Sequence, residues 1–165
     1  MAQTRIDHPN RDKAESKATK AIVILLLLVS AALTAIITIG GWSELQGAQP
    51  VAFAYIVLNL VMAFFVARWN RGILPVAAAL AVLFAVVAAV AGPAWFDRDK
   101  AGFDTPMLDP GILGLLTLIL VPVQLLLLAF AMRAFTQKWN VEIEVSTDDS
   151  DDFPSRSGDP QPAGA

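Results

Sequence analysis

Four apolar runs without a single charged residue divide this chain, at 21–40, 51–67, 73–91 and 111–132. The first is twenty residues long, and at about 1.5 Å rise per residue it matches roughly 30 Å of hydrocarbon. The second, at seventeen residues, is at the short limit for a span. In lipid every backbone amide needs a partner within its own segment or barrel, so runs of this length are expected to be helices. The expected fold is an all-α integral membrane protein, a four-transmembrane-helix antiparallel bundle.

Composition agrees. The chain is 56% hydrophobic and 16% charged, against roughly 45–50% and 25% in soluble domains. The first run is read as a retained span and not a signal peptide, because it exceeds a 7–15-residue hydrophobic region and follows a long polar leader. Cysteine is absent, which excludes a disulfide framework, thiol chemistry and cysteine-type zinc sites.

Lys and Arg set the orientation. Arg5, Arg11, Lys13, Lys17 and Lys20 precede the first run, Arg68 and Arg71 sit between the second and third, and Arg133 and Lys138 follow the fourth. The 41–50 loop has none, and the 92–110 loop has only Arg98 and Lys100. The positive-inside rule therefore places both termini in the cytoplasm. The chain divides into a basic N-terminal segment 1–20, a membrane domain 21–132 and a C-terminal tail 133–165. The tail is rich in Asp and Glu past Trp139, with Pro154, Pro160 and Pro162 among Ser and Gly, and is expected to be disordered. Richness in Ala, Val and Leu points to a GC-rich bacterial genome, hence to the plasma (inner) membrane of a bacterium as the expected location.

Boundary residues fit this topology. Trp42, Trp69, Trp95 and Trp139 each lie at or just beyond a span's exit, where an amphipathic indole favours the headgroup zone as an interface anchor. Pro50 and Pro110 suit first helical turns, and Asp109 can cap the amides that follow it. Trp95, Phe96 and Phe103 are expected to rest their loop on the outer leaflet. Lys13, Lys17 and Lys20 are expected to meet anionic lipid headgroups. Nucleic acid is not an expected partner, since Asp12 and Glu15 interrupt the basic cluster.

The chemistry that is missing narrows function most. None of the runs contains Asp, Glu, Lys, Arg or His, whereas proton-coupled transport and intramembrane catalysis place an ionisable group there. The single histidine, His8, lies in the N-terminal segment, so no imidazole is available between spans to hold a haem. The expectation is a non-enzyme without cofactor or metal. The nearest approach to a metal site is Asp97, Asp99 and Gly102, at positions one, three and six of an EF-hand-type loop. Position twelve is Leu108, with Asp109 one residue late, so the bidentate ligand is missing.

Polar residues inside the runs include Ser30, Thr34 and Thr38 on one face of the first, Asn59 in the second and Gln124 in the fourth. They are read as an intramembrane hydrogen-bonding network, with a polar lining for a solute as the rival. Asn59 and Gln124 are expected to face the interior, with Ser30 in their layer. Pro122 frees the carbonyl of Leu118, which Gln124 or Thr117 can answer. Ala77, Ala81, Ala85 and Ala89 form a small-residue stripe for close helix packing, against this chain or another. Residues 139–145 alternate apolar and polar with a strand's period. They are read as extended and unpaired, in preference to a strand added to a partner's sheet.

Two functions fit. The first is an accessory or scaffolding subunit packing against other membrane helices, of a membrane partner or of a homo-oligomer. The second is a small oligomeric channel or facilitator lined by Ser30, Thr34, Thr38, Asn59 and Gln124.

Overall fold

The computed structural model describes residues 4–45, 47–98 and 106–146. Its order is strand β1 (Thr4–Asp7), a short helix α1 (Pro9–Asp12), helix α2 (Ala14–Gly40), a 3₁₀ turn (Trp42–Glu44), and helices α3 (Gln49–Ala67), α4 (Ile73–Phe96) and α5 (Pro110–Thr136). Strand β2 (Ile143–Ser146) follows. Helices α2 to α5 are each long and apolar enough to cross a membrane, as the runs without charge require.

The helix ends follow local chemistry. Asp109 caps α5, its carboxylate accepting from the amides of Gly111 at 2.8 Å and Ile112 at 3.3 Å. Helix α3 is reversed by Trp69, whose φ of +63° is left-handed. Its amide and that of Asn70 donate to the carbonyls of Val66 and Phe65, satisfying acceptors that a helix end orphans. Helix α4 runs past Ala91, where the apolar run was expected to stop, through Gly92 and Pro93 to Phe96. A Cβ at Gly92 would lie 2.6 Å from the Leu118 side chain, so the glycine admits a side chain of α5.

Helix α4 packs along α5, α2 packs against both α3 and α5, and the backbones of α3 and α4 approach each other in few places. Hydrophobic gain is small between helices in lipid, so close packing and interhelical hydrogen bonds must hold them together. The alanine stripe serves the first of these, with a correction. Ala77, Ala81 and Ala85 are buried, but Ala89 is exposed and Ala88 takes its place. At 3.6 residues per turn, a strict four-residue spacing drifts by about 120° over twelve residues, so the buried line passes through Ala88 and Gly92. Its place is inside this chain.

Two apolar clusters fill the bundle. One holds Val23, Leu27, Met62, Val66, Leu74 and Leu127 with Trp139. The other, towards the 41–48 and 106–109 loops, holds Ile37, Ala88, Trp95, Leu113 and Leu120.

The chain is not wholly helical. β1 and β2 pair antiparallel, with Arg5 opposite Val145 and Ile6 opposite Glu144. The segments before α2 and after α5 therefore meet at one end of the bundle. This corrects two expectations: the tail is ordered as far as Ser146, and the alternating stretch is paired, through Ile143–Ser146, with this chain's own N-terminal segment. Residues 147–165, which carry the acidic run and the prolines, lie outside the described residues.

The tryptophans also differ from plain interface anchors. Trp42 is exposed, but Trp95 and Trp139 are buried. Trp95 packs on Gly41, where a Cβ would come 2.6 Å from the ring. It therefore closes the bundle instead of resting on a leaflet. Trp139 meets Trp69 edge to face at 5.1 Å, and Lys20 Nζ lies 4.0 Å over the Trp69 ring. Arg71 Nε donates to the Phe135 carbonyl at 2.8 Å and Arg11 Nε to the Trp139 carbonyl at 2.9 Å. Basic residues at this end thus serve the exit of α5.

Candidate functional site

Gln124 stands at the centre of the bundle, buried between the two apolar clusters. Its Nε2 donates to Ser30 Oγ on α2 at 3.0 Å and to Tyr55 Oη on α3 at 2.7 Å. One side chain of α5 therefore ties down two other helices. A buried amide in this position costs several kcal/mol if left unbonded in hydrocarbon, which makes the layer a specific clamp and not a loose contact.

The expected pairing of Ser30 with Gln124 is present, but Asn59 plays a different part. It is fully buried, yet its Nδ2 donates to the Tyr55 carbonyl one turn back on its own helix, at 2.9 Å. Tyr55 takes the bridging place that the sequence assigned to Asn59. It was legible only as the one tyrosine in the chain, four residues before Asn59 and so on the same helix face. Its ring stacks on Phe84 of α4, centroids 3.3 Å apart, which brings the fourth helix to the same layer.

The threonines serve their own helices. Thr38 Oγ1 donates to the Thr34 carbonyl and Thr117 Oγ1 to the Leu113 carbonyl, both at 2.7 Å. With Thr117 bonded there and Gln124 bonded to Ser30 and Tyr55, neither answers the carbonyl of Leu118 below Pro122, contrary to the expectation.

Beside the polar layer, towards the 41–48 loop, lies a cavity of about 230 Å³. Thr34 and Thr38 of α2, Phe84, Ala88 and Trp95 of α4, and Thr117 and Gln124 of α5 contribute to its lining, as do Val51 and Ala52 of α3. Thr34 Oγ1 and Gln124 Oε1 are both buried and neither has a hydrogen-bond partner among the described residues. The side chains of the other half's apolar cluster do not line it.

Asp109 caps α5, Asp97 follows the end of α4, and Asp99, like Gly102 and Phe103, lies outside the described residues. Among the described residues no group of three His, Cys, Asp or Glu side chains is placed to hold a metal. Arg98 reaches Glu44 at 3.1 Å, bonding both its carboxylate and its carbonyl. This pair joins the two loops at that end, and Glu44 went unremarked in the sequence because it is distant from Arg98 along the chain.

The sequence matches no family model, and no curated protein or solved structure matches it.

Proposed function

We propose that this chain is a non-catalytic accessory or scaffolding protein of a bacterial plasma (inner) membrane, an antiparallel four-helix bundle that packs against other membrane helices. Its N-terminal segment, 68–72 turn and C-terminal segment face the cytoplasm, following the distribution of Lys and Arg. The observation that carries the reading is the use to which the intramembrane polar groups are put. Gln124 bonds Ser30 and Tyr55 across three helices, and no Asp, Glu, Lys, Arg or His lies in the uncharged runs. Such a layer fixes one helix arrangement.

The outward surface supports the same reading. Val82, Leu83, Val86, Val87 and Val90 stand exposed along α4, and Val57, Leu58, Val61 and Phe64 along α3. Both helices thus present an outward apolar face.

The channel reading has less support. Ser30, Thr34, Thr38, Asn59 and Gln124 all face this chain's own interior, and the half of the bundle that holds Trp139 is packed with apolar side chains. Affinity purification in mild detergent tests the proposal. A stoichiometric membrane partner or a defined homo-oligomer is expected, and Val86→Trp on the exposed face of α4 should release it without lowering the melting temperature. Recovery of only monomer, together with solute flux in liposomes, would favour the channel.

A further inference from the structure

We propose that the groove between the N-terminal segment and Trp69 binds the phosphate headgroup of an anionic phospholipid. The inference rests on α2–α5 crossing a bilayer, and it holds whether or not the chain is a scaffold.

The groove has a volume of about 350 Å³, within the range of small-ligand sites. Arg5 of β1, Arg11 of α1, Lys17 of α2 and Trp69, just past α3, contribute to its lining. Arg5 and Lys17 are exposed and open to a ligand. Arg11 Nε is fixed on the Trp139 carbonyl at 2.9 Å, which leaves its two terminal nitrogens as the fork that suits a phosphate. Lys20 stands beside them, its Nζ over the Trp69 ring, near enough to Arg11 for the two cations to repel one another.

Two carboxylates also reach the groove, but both are engaged. Asp12 pairs with Lys17 at 3.5 Å, and Asp7 accepts from the His8 amide at 2.8 Å. Arg5, Arg11 and Lys20 have no ion-pair partner among the described residues. Cations gathered without a counter-ion repel, and one shared anion relieves all of them.

Position selects a lipid phosphate over a free one. Lys20 immediately precedes the first uncharged run and Trp69 follows the second by two residues, which is headgroup depth for helices that span. One and two turns beyond Lys17, the same face of α2 is exposed and apolar at Ala21 and Leu25, a lane for an acyl chain. Charge selects an anionic lipid over a zwitterionic one. Choline would bring a further cation among these, and the Trp69 ring that attracts such groups already carries Lys20.

The test is native mass spectrometry of the full chain in dodecyl maltoside. The probes are phosphatidylglycerol, phosphatidylcholine of the same acyl chains, and glycerol 1-phosphate. One phosphatidylglycerol per chain is expected, held about tenfold tighter than phosphatidylcholine, with no glycerol phosphate retained at equal concentration. Arg5→Gln should weaken phosphatidylglycerol about fivefold, the share of one basic side chain at an anionic headgroup. Arg133→Gln removes the same charge from an exposed position outside the groove and should change the affinity by less than about twofold. Equal retention of the two lipids, an equal loss from both substitutions, or displacement of phosphatidylglycerol by glycerol phosphate would overturn the assignment and leave the membrane reading standing. A chain that stays in solution without detergent would overturn both.

Discussion

Gln124 is the residue on which the interior turns, and its neighbours define what a substitution should do. Replacing it with Leu removes hydrogen bonds to Ser30 and Tyr55. Each such bond in a membrane interior is worth about 0.6 kcal/mol on average and up to about 1.7. Gln124→Leu should therefore destabilise the folded chain by roughly 1–3 kcal/mol, read as a lower melting temperature in detergent. Asn59→Leu should cost less, because Asn59 bonds only its own helix. A double-mutant cycle of Gln124→Leu with Tyr55→Phe should return a coupling near 1 kcal/mol; additivity would remove Tyr55 from the clamp. The sequence showed that these side chains had to find partners in lipid, because burial without one is costly. It did not show which partner, because the angular position of Asn59 against Tyr55 depends on how α3 is rotated, and weakly amphipathic helices carry little record of rotation. Asp109 was wholly legible, since a cap is decided by residues next to it in the chain. Asp109→Ala should cost about 0.5–2 kcal/mol.

Each helix could be read from its length and lack of charge, but its neighbours could not. The alanine stripe of α4 marks the distinction. A four-residue spacing identified the packing face correctly at Ala77, Ala81 and Ala85 and failed at Ala89, where the helical repeat had carried the face round to Ala88. Substitution should separate the two. Ala81→Leu overpacks the α4 interface and should destabilise by about 1–3 kcal/mol, whereas Ala89→Leu, pointing outward, should stay within about 0.5 kcal/mol. Equal effects would mean that α4 is rotated from the position described. The exit of α5 is a second case. Arg71 lies 4.1 Å over the Phe135 ring, bonds its carbonyl and reaches Asn140 Oδ1 at 3.0 Å. Sequence reading took Arg71 only as a topogenic charge, since its partners lie more than sixty residues away. Arg71→Ala should lose about 1–3 kcal/mol, the range for charge-assisted hydrogen bonds, and speed amide exchange over the last turn of α5.

At the scale of the whole molecule, four helices among the described residues are long and apolar enough to cross a membrane, and the β1–β2 pairing joins the segment before α2 to the segment after α5. The bundle is sealed there by Trp69, Trp139 and the arginines, clamped in its middle by Gln124, and hollow beside that clamp towards the 41–48 loop. Four spans were legible because hydrocarbon thickness dictates helix length; the small sheet was not, because its strands pair across nearly the whole chain. The central claim is that these helices cross a bilayer with their basic ends inside the cell. The chain's natural lack of cysteine permits a direct measurement: single Ser43→Cys, Asn70→Cys and Met107→Cys variants treated with an impermeant thiol reagent on intact cells. All three positions are on exposed residues. Labelling at 43 and 107 from outside, with 70 protected until the membrane is opened, is the expected result. Labelling at 70 with protection of 43 and 107, or equal labelling of all three, would contradict it.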